Sequence, residues 1–78
     1  MVFFGYQRND ESLLELEEVS LQCNLEELEE LIVFLNEVKK EHSAVENETG
    51  MCHSHFKDWK SKWNKEDTDF IVVTRFDK

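Results

Sequence analysis

The chain has 78 residues, nine Lys and Arg against eighteen Asp and Glu, and a net charge of −9. A length below the roughly 100 to 200 residues of a usual domain excludes a two-lobed enzyme, so a single domain over residues 1–78 is expected, with binding surfaces rather than enclosed pockets. Without clustered cations to displace counterions, neither direct nucleic-acid binding nor attachment to an anionic membrane is expected.

Val2 to Arg8 has the aromatic content of a strand (Phe3, Phe4, Tyr6) and runs into the turn-favouring Asn9 and Asp10. A second strand is expected over Leu14 to Cys23. Its apolar residues change parity at Glu17 and Glu18, which predicts a bulge or a break there.

Asn24 followed by Glu27 is a capping box, so a helix starts at Leu25. Leu25, Leu28, Leu31, Ile32, Leu35 and Val38 lie within about 140° on the helical wheel and are the expected core face. Glu26, Glu27, Glu29 and Glu30 suit the positive end of the macrodipole, and Lys39, Lys40 and His42 suit the negative end. Fraying is expected near Ser43 to Val45, with a polar loop over Glu46 to Gly50.

Met51 to Phe56 is a candidate strand, with Cys52, Ser54 and Phe56 on one face and His53 and His55 on the other. Lys57 to Asp69 is hydrophilic except for Trp59 and Trp63. Phe70 to Phe76 has the strongest strand pattern. Phe70, Val72 and Phe76 share one face and Ile71 and Val73 the other, which predicts a central position in the sheet. The expected fold is α+β, a mostly antiparallel sheet of about four strands crossed by one amphipathic helix, in the order ββαββ.

No apolar run approaches the roughly 18 residues of a membrane span and no secretory pattern is present, so a cytoplasmic protein is expected. Cys23 and Cys52 are expected to be free thiols.

Cys52, His53 and His55 carry metal-ligand chemistry, but two imidazoles fall short of the three or four protein ligands of a zinc site. The expectation is no metal and no cofactor, with a metal-binding regulatory module using His53 and His55, completed by Cys52 or His42, as the alternative. Catalysis is not expected. Adjacency of Cys52 to His53 does not create an activated thiolate, and no nucleophile elbow or phosphate-binding glycine loop is present.

The more specific surface lies on the helix. Glu26, Glu30, Val33 and Glu37 form one stripe, with Phe34 and Glu41 at its margin, so carboxylates surround an apolar residue as at a protein interface with steering charges. Residues 1–50 hold thirteen acids against Arg8, Lys39 and Lys40, and that concentration of one sign favours a basic protein partner. Trp59 and Trp63, among Lys57, Lys60, Lys62 and Lys65, are either further interface anchors or the cover of a small core.

The helix opening Asn24-Leu25-Glu26-Glu27-Leu28, the stretch Gly50-Met51-Cys52-His53-Ser54-His55-Phe56 and the terminal Phe70-Ile71-Val72-Val73 together resemble the immunity protein 32 family, small bacterial proteins of polymorphic toxin systems. The resemblance spans about residues 13–76 and rests on the Gly-x-x-His-x-His stretch after a helix. It implies an α+β cytosolic antitoxin that neutralises a toxin by binding, and it carries no catalytic assignment. The expected function is therefore a non-enzymatic acidic module, bacterial or phage-borne, that blocks a basic toxin or nuclease. A homodimer paired through sheet edges or tryptophans is a further reading.

Overall fold

The computed structural model of the chain describes residues 1–76, so Asp77 and Lys78 of the expected 1–78 domain lie outside the described residues. The element order is β1 (Phe3–Gly5), β2 (Leu14–Leu16), α1 (Leu25–Ala44), β3 (Met51–His55), α2 (Phe56–Trp59) and β4 (Ile71–Arg75). This is the expected α+β class and strand count.

The helix begins where the capping box places it. The Glu27 amide donates to Asn24 Oδ1 at 2.8 Å, and the Asn24 amide donates to Glu27 Oε1 at 3.0 Å, so two amides with no intrahelical partner are satisfied reciprocally. At the other end the Val45 amide donates to the His42 carbonyl at 3.3 Å, and the Glu48 and Thr49 amides close on the Val45 carbonyl.

β3 and β4 pair antiparallel, from Met51 opposite Arg75 to His55 opposite Ile71. Backbone bonds from Phe56 to Phe70 (2.8 Å) and from Phe76 to Gly50 (3.1 Å) extend the ladder at both ends. The register sets Cys52, Ser54, Val72 and Thr74 on one face, and that face receives α1.

The single four-stranded sheet is not formed. The described residues make two separate two-stranded sheets, β1 with β2 and β3 with β4. β1 and β2 pair Phe3 with Leu16 and Gly5 with Leu14, and the chain between them turns at Asn9, whose φ of 63° lies in the left-handed region that asparagine tolerates. An Asx turn from Asp10 Oδ1 to the Ser12 amide (2.8 Å) tightens the same loop. A short local loop closes with less entropy loss than a long-range strand pairing, so this hairpin is complete without the rest of the sheet. The second strand ends at Leu16, just before the Glu17-Glu18 parity change, and the expected continuations to Arg8 and Cys23 are absent.

Two further expectations are corrected. β4 is not central: among the described residues it pairs with β3 alone, and Ile71 and Val73 on its other face stay exposed. The core face of α1 is also turned from the leucine stripe. Phe34, Val38 and His42 are the buried residues of the helix, whereas Leu25, Leu28, Ile32 and Leu35 are exposed. The cause is the width of the support. Strands lie about 4.8 Å apart and a helix with its side chains is about 10 Å across, so a two-stranded ribbon covers one i, i+4, i+8 ridge and not a broad stripe.

Phe34, expected at the margin of the exposed helix stripe, is 1% exposed and is the centre of the core. Its ring lies 5.1 Å from Phe56 in an edge-on arrangement and 5.7 Å from Trp59, and Trp59 stacks on Phe56 at 5.6 Å. Trp63 closes on Phe56 edge-on at 6.4 Å. The single turn of α2 places Phe56 and Trp59 three residues apart on one side, which builds the aromatic wall that Phe34 needs.

Candidate functional site

Beside the buried ridge, α1 and the β3–α2 corner enclose an open cleft of about 360 Å³. Phe34 and Val38 line its base. Glu37 and Glu41 line the helix side because each stands three residues beyond a ridge position, and Asp58 and Trp59 line the other side from α2. His53, Ser54 and His55 complete the lining from β3. Carboxylates from two elements thus meet around an apolar base, with a tryptophan, 38% exposed, beside them.

The residues expected to bind a partner divide among several places. Glu37, Glu41 and Trp59 come together at the cleft. Glu26 and Val33 are exposed on the helix but do not line it. Glu30 is drawn toward Lys60, whose Nζ lies 3.7 Å from Glu30 Oε2 and also 5.7 Å from the centre of the Phe56 ring. Trp63, half-buried, lines a second cleft of about 250 Å³ with Leu31, Phe56 and Phe70. Nothing in the sequence spacing shows that α2 returns Asp58 to the helix face.

The histidine cluster has a structural explanation. His53 and His55 do project on the same face, with ring centres 5.6 Å apart. His55 Nδ1, however, lies 2.7 Å from Asp69 Oδ2, and the other carboxylate oxygen accepts the Lys57 amide at 3.0 Å. Burial alone would raise the Asp69 carboxyl. The hydrogen bonds from His55 and Lys57, helped by the charges of both, outweigh it and hold the group below its ordinary value. Cys52 occupies the opposite strand face, so it joins neither imidazole. Among the described residues no group of three or more His, Cys, Asp and Glu is placed to hold a metal ion. Both cysteines are free thiols, Cys23 exposed and Cys52 half-buried.

His42 is the residue whose role the sequence reading missed. It is 2% exposed, with Nδ1 2.7 Å from Thr74 Oγ1 and Nε2 2.9 Å from Ser54 Oγ. Either tautomer donates to one hydroxyl and accepts from the other, so the ring pins α1 to both strands. Its spacing of four from Val38 and eight from Phe34 is the available signal, hidden because histidine does not score as apolar.

No protein-family model, curated protein or solved structure matches this chain. Its class rests on fold and surface alone: a small α+β protein with an acidic cleft between its long helix and the β3–α2 corner. Among the described residues no helix is long and apolar enough to cross a membrane.

Proposed function

We propose that the protein is a non-enzymatic immunity or inhibitor module, cytoplasmic, that blocks a basic protein such as a toxin or a nucleic-acid-processing enzyme. The observation that carries this reading is the convergence of Glu37, Glu41 and Asp58 beside the exposed edge of Trp59, over the apolar base of Phe34 and Val38. Such a cleft suits a lysine or arginine side chain: its stem packs on the apolar base, its cation lies against the indole, and three carboxylates complement the charge. Against a nuclease, these carboxylates stand where phosphates would otherwise bind. The remaining acids of the helix, Glu26 among them, supply a field of the same sign that speeds encounter. The resemblance of the 24–28 and 50–56 segments to immunity protein 32 points to the same class.

The test uses the full chain as bait at low and high salt, alongside the double variant Glu37→Lys/Glu41→Lys. A basic protein retained by the wild type, released by salt and lost by the variant is the expected result. Truncating one partner of a desolvated charge pair costs about 2 to 5 kcal/mol, so the double variant should lose at least tenfold in affinity. Equal capture by both proteins overturns the proposal.

A further inference from the structure

Among the described residues the broadest apolar surface of α1 is left facing solvent. Leu25, Leu28, Ile32 and Leu35 are 83%, 38%, 46% and 40% exposed. At 100° per residue they fall within about 80° of one another, on the side of the helix away from Glu37 and Glu41. The exposure is part of a larger excess. The chain presents 7215 Å² to solvent, whereas a folded monomer of its mass is expected to present about 5,000 Å². Its radius of gyration of 13.8 Å likewise exceeds the roughly 11 to 12 Å of a compact chain of this length. A standard stable interface takes about 800 Å² from each partner, so the surplus is more than one such interface requires.

We infer that this face pairs with the same face of a second copy, two α1 helices lying antiparallel about a two-fold axis between Ile32 and Leu35. Charge decides the direction. Glu29 near the start of the helix and Lys40 near its end lie on the same edge of the apolar face, about 20° apart on the wheel. Neither has an ion-pair partner among the described residues. A parallel pair would bring the two acid-rich first turns, with Glu26, Glu27 and Glu29, together at one end of the dimer and would align the two macrodipoles. The antiparallel pair sets Glu29 of one copy beside Lys40 of the other, twice, and lets the aliphatic stem of Lys39 cover the partner's end of the leucine row. The isologous contact is self-complementary despite the net charge of −9, because most of the acids remain outside it. The acidic clefts are left open on opposite sides of the dimer.

Sedimentation equilibrium of the full chain at micromolar concentration tests the inference. The expected species has twice the chain mass. Ile32→Glu, at an exposed position, should give the chain mass with an unchanged helical circular dichroism spectrum. Glu29→Lys should shift the association constant toward monomer by severalfold, and Glu29→Lys/Lys40→Glu should restore it. A wild-type protein that stays at the chain mass overturns the inference. So does a dimer that survives Ile32→Glu, which would place the contact at the sheet edges or the tryptophans, and so does a failure of the double reversal to restore association.

Discussion

The imidazole of His42 and the hydroxyl of Thr74, 32 positions apart in the chain, meet at 2.7 Å, which joins the end of α1 to β4. The other nitrogen of the ring is held by Ser54, so one side chain connects three elements. His42→Ala would leave two part-buried hydroxyls without a partner, at about 1 to 3 kcal/mol for each group that water cannot reach. Urea denaturation should show a loss of about 2 kcal/mol or more. Thr74→Val, which removes one partner and keeps the volume, should cost less, and a double-mutant cycle should show coupling between the two positions.

Phe34 is the other fixed point. Its replacement by Ala removes the ring on which Phe56 and Trp59 close, and the expected loss is about 3 to 5 kcal/mol, a large share of the stability of so small a domain. The loss should appear as a lower denaturation midpoint with a blunted near-ultraviolet tryptophan signal. Leu35→Ala, one residue along but exposed, should cost far less in the monomer.

Acid stability should depend on Asp69. Because its folded carboxyl titrates below the ordinary value of 3.8, the carboxylate contributes stability that is fully present above that value. The contribution fades as pH falls below it and is lost once the folded group is protonated too. Asp69→Asn should therefore lower stability near neutrality and reduce the slope of stability against pH below about 4. Parallel curves for variant and wild type over that acid range would contradict the assignment.

The N-terminal hairpin has a specific tie to the C-terminal part of the chain, the bond from Arg8 Nη2 to the Glu66 carbonyl at 2.8 Å. Arg8→Ala should raise hydrogen exchange and proteolytic nicking across residues 1–16, while amides of α1 and β3 keep their protection. Equal loosening in both regions would mean that the hairpin contributes to the core.

Much of this architecture is legible along the chain because it is locally encoded. Asn24 and Glu27 announce the helix start, and the alternation in Met51–His55 and Ile71–Arg75 marks two strands with the correct faces. The failures are tertiary. A helical wheel finds the most apolar face, but burial depends on what the helix meets, and a ribbon two strands wide selected the ridge through Phe34 and His42 over the leucines. The apolar residues on both faces of β4 indicated a central strand, and the separate closure of the first hairpin left one of those faces to water. At the candidate site, Glu37 and Glu41 were visible from their spacing. Asp58 was not, since its place beside them depends on the turn after His55.

A core that is one row wide has no redundancy in its phase. Inserting or deleting a single residue between Phe34 and His42 would swing everything beyond it by about 100° around the helix axis. The imidazole would face away from Ser54 and Thr74, and no neighbouring row stands ready to take its place. The eight-residue interval inside α1 therefore behaves as a fixed ruler, and a change of length there is tolerated less than in the connections between elements.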